Sequence, residues 1–292
     1  MAECFLNNKN EIVSEKEWQG FIQSLKTDRI IDNKDKAKEL LKESLTNAIK
    51  IRVENSFGLL FSGGIDSTTI ALILKQLGYR FTCYCVGLEN SKDIESAQEV
   101  AKELGLELKT KTLTLEDAEQ TIEKVSKILK EPNVVKVGVG CVFYEAMKLA
   151  KEDNVKAVFT GLGSEEIFAG YERHANAKDV NKECWHGLLN MWERDLKRDY
   201  SISKELNIEL RTPLLDKEVI RTAMMIPGKY KISKQHKKLI LREVSLEFGL
   251  RKEFAFKKKR AAQYGSGFDK AMQKIAKRHG FKFKTDYLRS LI

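Results

Sequence analysis

Residues 59–67 read Leu-Leu-Phe-Ser-Gly-Gly-Ile-Asp-Ser, an apolar run that leads into a glycine pair and then into a helical pattern. Because they lack Cβ atoms, Gly63 and Gly64 let backbone N–H groups come close to a ligand. Ser62 and Ser67 add hydroxyl donors, and the start of the following helix favours an anion. The stretch therefore predicts a phosphate-binding turn between a strand and a helix.

The chain around this turn alternates between strand-like and helix-like segments. The apolar patterns predict strands at 56–61, 80–86, 106–112 and 155–159, and helices at 66–77, 91–104, 115–129 and 142–151. From about residue 178 onward strands are hard to identify, and the patterns predict helices at 185–198, 217–225, 237–247 and 270–277. This order predicts an α/β fold with a parallel sheet, helices on both faces and a helical C-terminal half. Ligands of such sheets bind outside the carboxyl ends of the strands.

Composition is that of a soluble globular protein, with 42% hydrophobic and 32% charged residues among 292. We expect one main domain at 33–292, preceded by an N-terminal extension at 1–32. The five cysteines are scattered without CxxC spacing, which favours a reducing compartment over disulfides or zinc. No apolar run approaches the ~20 residues of a membrane helix, so we expect a cytoplasmic protein with no membrane partner.

Positive charge is concentrated near the end of the chain. Residues 229–292 hold nineteen Lys/Arg against five Asp/Glu, a net +14, whereas the whole chain carries +10. The basic segment 229–284, densest at 257–260, therefore makes RNA a possible partner.

A second glycine-containing loop follows the strand expected at 155–159. It reads Thr-Gly-Leu-Gly-Ser-Glu-Glu-Ile-Phe-Ala-Gly-Tyr over 160–171. Magnesium prefers oxygen ligands and commonly bridges one or two carboxylates to phosphate oxygens. We therefore expect Asp66 and Glu165, from two neighbouring strand ends, to be metal ligands.

Five motifs in this order resemble the synthetase domain of asparagine synthetases. They are SGGIDS at 62–67, CVGL at 85–88, GLGSEEIFAGY at 161–171, ELRTPLLDKE at 209–218 and KLILRE at 238–243, and the resemblance runs from about residue 35 to 268. It implies the adenine-nucleotide α-hydrolase-like (PP-loop ATP pyrophosphatase) fold. It also implies an ATP- and Mg²⁺-dependent ligase that forms an acyl-adenylate, releases pyrophosphate and transfers the acyl group to ammonia.

The resemblance also implies residue roles. Lys238 matches the family's catalytic lysine, and Glu165 stands where the family has a metal-binding aspartate. Gly161 would contact the nucleotide, and Phe61 and Val86 would border its adenine. The pyrophosphate and its magnesium would be held by Ser62, Gly63, Gly64, Asp66 and Ser67. Three further residues match the family: Arg211, Pro213 and Asp216. Structural pairing is sufficient to explain their presence, so they are assigned no role in catalysis.

Two departures from the family bear on function. Position 2 is Ala2 rather than a nucleophilic cysteine, and fewer than sixty residues precede the loop. We therefore expect no glutamine hydrolysis by this chain, with ammonia supplied freely or by a separate glutaminase subunit. Leu162 replaces a family glutamate that removes a proton during amine attack, which leaves adenylation intact and puts amidation in doubt. A diverged set of asparagine-synthetase-domain proteins shares this loop and the run at 259–266.

Three functions remain open on the sequence. The first is an ATP-dependent amidotransferase, by default making asparagine from aspartate and ammonia. The second is an enzyme that uses the same ATP chemistry to adenylate a base or modified nucleoside in tRNA, which the basic segment motivates. The third is an ATP-binding module whose catalysis has decayed at Leu162.

Overall fold

A parallel five-stranded sheet, in the order β3-β2-β1-β4-β5, lies at the centre of the molecule. The structure, a computed structural model, describes residues 3–257 and 261–292. The strands are β1 Phe57–Leu60, β2 Thr82–Leu88, β3 Glu107–Leu113, β4 Ala157–Phe159 and β5 Glu209–Arg211. The expected α/β class is therefore confirmed.

Helices account for most of the remaining chain. In the described ranges they are α1 Glu15–Ser24, α2 Lys34–Lys50, α3 Ile65–Gln76, α4 Lys92–Leu104, α5 Leu115–Leu129, α6 Val134–Glu152, α7 Ser164–Ile167, α8 Glu172–Ala175, α9 Val180–Met191, α10 Lys197–Leu206, α11 Lys217–Met225, α12 Gly228–Lys231, α13 Leu239–Glu247, α14 Lys252–Ala255, α15 Ala262–Gly265, α16 Phe268–Arg278 and α17 Lys284–Arg289. A π-helical turn, Trp192–Leu196, joins α9 to α10, and a 3₁₀ turn, Pro213–Leu215, follows β5. None of the described helices is both long enough and apolar enough to cross a bilayer.

The strand order reverses at β1, and this reversal positions the candidate site. The chain passes from β1 through β2 to β3 on one side, then returns so that β4 pairs with the other side of β1. Because parallel crossovers are right-handed, α3 and α4 cover one face, and α5 and α6 cover the other. The crevice between the ends of β1 and β4 is the point at which such sheets bind ligands.

Helix α6 is longer than the sequence pattern predicted. It begins at Val134 rather than 142, and the side chain of Asn133 accepts hydrogen bonds from the N–H groups of Val135 and Lys136. Gly138 and Gly140 weaken the helical pattern of this first half. Tertiary packing outweighs that weakness, because a Cβ on Gly140 would lie 3.0 Å from Val125 of α5.

A strand, β5, lies beyond residue 178, where strands are hard to identify from the sequence. β5 is only three residues long, yet it pairs with β4 through Val158 and Leu210. So short a strand shows no alternation that a sequence pattern could reveal. The helix expected at 185–198 is likewise replaced by α9, the π-helical turn and the beginning of α10.

The N-terminal residues pack into the same apolar core as the sheet. Phe5 and Trp18 are fully buried in that core, and the indole of Trp18 donates to the carbonyl of Leu188 at 2.8 Å. Cys83 and Cys85 of β2 are also buried. The boundary at residue 32 stays a prediction.

Candidate functional site

The glycine loop leaves β1 at the carboxyl edge of the sheet. The N–H of Phe61 donates to the carbonyl of Tyr84 in β2 at 2.9 Å, so Phe61 lies beside the end of that strand. Gly63 has φ +65° and approaches α4 closely, since a Cβ would lie 2.5 Å from the carbonyl oxygen of Ser96. Within the loop, the hydroxyl of Ser67 donates to the carbonyl of Gly64 at 3.2 Å.

A cavity of about 260 Å³ opens beside this loop. Ser62, Gly63 and Gly64 form one wall, and Lys92 and Lys257 lie on the others together with acidic residues of α4. Both lysines are ion-paired, Lys92 with Glu95 at 2.7 Å and Lys257 with Glu99. The cavity therefore combines the glycine turn with lysines whose charge is already compensated.

Lys238 joins the two predicted metal ligands. Its Nζ lies 2.8 Å from both carboxylate oxygens of Asp66 and 2.7 Å from Oε1 of Glu165. Asp66 comes from the first turn of α3, Glu165 from α7 and Lys238 from the residue before α13. The fold thus brings together three side chains that are far apart in the sequence.

This triad is buried to different degrees. Lys238 is 5% exposed and Asp66 is 7% exposed, whereas about a third of the Glu165 side chain meets solvent. Burial opposes the charge on Lys238, but the nearby carboxylates of Asp66 and Glu165 outweigh it and raise the pKa of the ammonium. Lys238 therefore stays protonated across the physiological pH range.

The donor set fits a magnesium ion bound together with a phosphate chain. Asp66 and Glu165 converge on one positive group, and two carboxylates are what Mg²⁺ usually takes from a protein when phosphates complete its coordination. In the part of the chain that the structure describes, no three acidic, histidine or cysteine side chains cluster as a metal site on their own. A cation here would therefore need ligands from the nucleotide.

Ser164 is a site residue to which the sequence assigned no role. Its hydroxyl donates to Oδ1 of Asp66 at 2.6 Å, which fixes the orientation of that carboxylate. Gly161 lies against the same side chain, because a Cβ on it would come within 2.8 Å of the Asp66 Cβ. The only sequence signal for Ser164 is its place directly before the paired glutamates.

Both carboxylates that follow Leu162 are bonded to basic side chains. Glu165 faces Lys238, and the buried Glu166 contacts the guanidinium of Arg194, which the π-helical turn carries. Burial, with a further contribution from Asp195, raises the pKa of Glu166 to about 7. This ion pair was missed because its partners are 28 positions apart and no sequence pattern joins them.

The other residues singled out from the sequence lie in the sheet or in the turns next to it. Phe61 and Val86 are buried at the adjoining ends of β1 and β2. Arg211 pairs with Glu209 at 2.6 Å, and Asp216 pairs with Arg52 at 2.8 Å. The last two contacts fit the structural reading of Arg211 and Asp216.

The model of the asparagine synthase family matches residues 37–186 and 173–282 of the chain. A Methanocaldococcus jannaschii protein with the provisional name asparagine synthetase [glutamine-hydrolyzing] 1 is 34% identical over 290 residues, covering 86% of this chain and 53% of that protein. Asparagine synthetase 1 of Lotus japonicus is 31% identical over 199 residues, covering 64% of this chain and 34% of the plant protein. The chain spans about half the length of the first relative.

Similar solved structures include NMN synthetase from Francisella tularensis, with a TM-score of 0.43, 13% identity and coverage of 89% of this chain and 94% of that one. The U34-tRNA thiolase NcsA from Methanococcus maripaludis gives a TM-score of 0.37 with 15% identity, covering 100% of this chain and 88% of that one. At these TM-scores neither likeness bears on the function of this chain. The family model, by contrast, spans most of the sequence, including both glycine loops and Lys238, and on that match the chain belongs to the asparagine synthase family.

Proposed function

We propose that the chain is an ATP- and Mg²⁺-dependent carbon–nitrogen ligase. It activates a carboxylate as an acyl-adenylate, releases pyrophosphate and transfers the acyl group to ammonia or another amine. Aspartate and ammonia are the default substrates, because the family and the relatives named above are asparagine synthetases. The observation that carries the proposal is the ammonium of Lys238 held between Asp66 and Glu165.

In this proposal the glycine loop binds the β- and γ-phosphates. The backbone N–H groups at Gly63 and Gly64 and the first turn of α3 offer donors to an anion. Asp66 and Glu165 would hold Mg²⁺, which neutralises negative charge on the triphosphate when it is bound. Ser164 keeps the Asp66 carboxylate in place for that contact.

Lys238 is assigned the stabilising role in the first half-reaction. When nucleotide and cation bind, its ammonium can leave the carboxylates and face the α-phosphate that the substrate carboxylate attacks. Negative charge grows on those phosphate oxygens in the transition state, and a buried, preorganised cation lowers its energy. In this step Lys238 supplies a positive charge and does not act as a base.

The second half-reaction lacks the family's proton acceptor at Leu162. Glu165 and Glu166 are already paired with basic side chains. We infer that the uncharged amine attacks the acyl carbon and that AMP leaves with the electron pair of the carbon–oxygen bond. The extra proton on nitrogen then passes to solvent. The Leu162→Glu variant tests this inference: faster asparagine formation would support a weakened aspartate enzyme, and loss of activity toward another carboxylate would support a repurposed pocket.

Pyrophosphate release is the direct test of the proposed function. The full chain is incubated with ATP and Mg²⁺, first with aspartate and ammonia and then with a library of small carboxylates. We expect AMP and pyrophosphate to form only with a cognate carboxylate. ATP binding without pyrophosphate release from any carboxylate would remove the support for this function, and products of ADP and orthophosphate would contradict it.

A further inference from the structure

The carboxamide of Gln263 on α15 is buried, and its oxygen lacks a hydrogen-bond donor in the described part of the chain. The residue is 6% exposed, and its Oε1 has no hydrogen-bond partner among the described residues. An amide oxygen removed from water without a partner destabilises the fold. Each such group in a native protein calls for an explanation, either a bound water or a ligand.

Five other described residues bury a polar atom without a partner, and two of them have a simple account. Asn181 and His174 each use their second polar atom, Nδ2 donating to the carbonyl of Met224 at 3.1 Å and Nδ1 accepting from the N–H of Tyr171 at 3.0 Å. Thr68, Ser126 and Tyr287 carry single hydroxyls. Gln263 differs from Asn181 and His174 because, in ranges 3–257 and 261–292, its Oε1 is buried without a partner and its Nε2 forms no compensating bond. It differs from the three hydroxyls because it is a carboxamide, which offers an acceptor and a donor side by side.

The segment that carries Gln263 lies across the end of β2. The N–H of Leu88 donates to the carbonyl of Ser266 at 2.8 Å, and the hydroxyl of Ser91 donates to the carbonyl of Gly265 at 3.1 Å. On its other side, the Cβ of Gln263 lies 3.1 Å from the place a Cβ on Gly138 would occupy. Gln263 therefore stands at the carboxyl edge of the sheet, between β2 and the first half of α6.

This location adjoins Phe61 and Val86, which by the family resemblance would border the adenine. Phe61 directly follows β1, and Val86 lies in β2 two residues before its last residue, Leu88. Their apolar side chains can pack against a base but cannot distinguish its polar edge. A recognition group is therefore needed next to them.

We propose that Gln263 recognises the adenine base of the bound nucleotide. A carboxamide presents one donor and one acceptor side by side. Adenine presents the complementary pair, an amino group and a ring nitrogen, and glutamine is a known bidentate partner for it. The inference rests on the proposed function, because it requires the nucleotide to lie over the ends of β1 and β2.

The test measures whether Gln263 and the 6-amino group of the base interact. Binding of ATP and of purine riboside 5′-triphosphate, which lacks that amino group, is measured by calorimetry for the full chain and for Gln263→Met. We expect the wild type to bind ATP about tenfold more tightly than the analogue. Gln263→Met should lower the affinity for ATP about tenfold more than it lowers the affinity for the analogue, which keeps the ring nitrogen but lacks the amino group.

Thermal unfolding without nucleotide separates recognition from a structural role. Gln263→Met removes an unpaired buried amide, so we expect its Tm to be equal to or above that of the wild type. Gln76→Met is the matched control. Gln76 ends α3, and its amide donates to the carbonyl of Phe248 at 2.8 Å; its loss should lower the Tm and leave the preference for ATP unchanged.

Each other outcome overturns the proposal. If Gln263→Met lost the same affinity for both triphosphates, or lost none, an ordered water alone would satisfy Gln263. A lower Tm for Gln263→Met with unchanged ATP affinity would make the residue structural. A wild type that binds neither triphosphate would remove both this inference and the proposed function. Pyrophosphate release without any coupling between Gln263 and the 6-amino group would remove this inference alone.

Discussion

Lys238 is unusual in its backbone as well as in its contacts. Its φ is +57°, a left-handed conformation that costs a non-glycine residue about 1–3 kcal/mol. That conformation comes directly before α13, where the side chain reaches Asp66 and Glu165. The motif at 238–243 predicted which residue would matter, but it could not predict the left-handed turn, because sequence patterns carry no signal for φ at a lysine.

Replacing Lys238 tests both the chemistry and the cation site. Lys238→Met removes the charge proposed to stabilise the adenylation transition state, so pyrophosphate release should fall about a hundredfold to a thousandfold. The variant also leaves Asp66 and Glu165 without their ammonium. Its affinity for Mn²⁺ in the absence of nucleotide, measured by electron paramagnetic resonance, should therefore rise.

The control is Lys237→Met, the neighbouring lysine, which pairs with Glu172 at 2.7 Å on the surface. It should leave both readouts near those of the wild type. Pyrophosphate release by Lys238→Met within about threefold of the wild type would be incompatible with the assigned role.

A buried histidine predicts how stability depends on pH. Burial lowers the pKa of His174 from 6.5 to about 4. The unfolded chain therefore binds more protons between these values, so stability is complete above pH 6.5 and falls as pH decreases toward 4. The contribution lost is about 3 kcal/mol.

Chemical denaturation of the wild type and of His174→Gln at pH 7 and pH 4.5 measures this dependence. Other carboxyl groups titrate in the same range, so the difference between the two proteins isolates His174. The variant should lose less stability on acidification than the wild type. Parallel curves for the two proteins would show that His174 does not titrate as described.

At the scale of single elements, a strong apolar periodicity was sufficient to predict the bounds of a helix. Elements with a weak periodicity could not be predicted from the sequence. The helices expected at 115–129 and 217–225 have those bounds in the structure. By contrast, β5 and the π-helical turn owe their shape to pairing and packing with distant segments. The turn places Arg194 beside Glu166, and π-helical turns occur frequently at functional sites.

Helix α6 offers a test of what fixes its early start. Asn133→Ala removes the side chain that accepts from Val135 and Lys136, which should cost about 1 kcal/mol in the free energy of unfolding. Asn133→Ser retains a capping oxygen and should recover most of that loss. Urea unfolding of both variants gives the measurement, and equal stability of Asn133→Ala and the wild type would show that packing alone holds the first turn.

At the scale of the whole molecule, the basic segment 229–292 is partly neutralised by the rest of the chain. Six of its described basic side chains form ion pairs with acidic residues outside the segment, namely Lys229, Lys237, Lys238, Arg251, Lys257 and Arg278. Residues 258–260 of the densest stretch lie outside the described residues. Such pairing reduces the charge offered to a phosphate backbone, so it does not favour the tRNA alternative.

Salt dependence tests this reading. The association constant for unmodified tRNA should fall with a log–log slope of magnitude below about 3, since few lysines would release counterions. Replacing residues 257–260 with serine should change that slope by less than about 1. A slope of about 6 or more, reduced by the same replacement, would instead favour an RNA-directed enzyme.

The most direct measurement follows oxygen from the substrate into the nucleotide. Aspartate labelled with ¹⁸O in its side-chain carboxylate is incubated with ATP, Mg²⁺, ammonia and the full chain, and the products are analysed by mass spectrometry. Attack of the carboxylate on the α-phosphate predicts one ¹⁸O atom in each AMP released, together with unlabelled pyrophosphate. AMP without label, or label in orthophosphate beside ADP, would contradict the account.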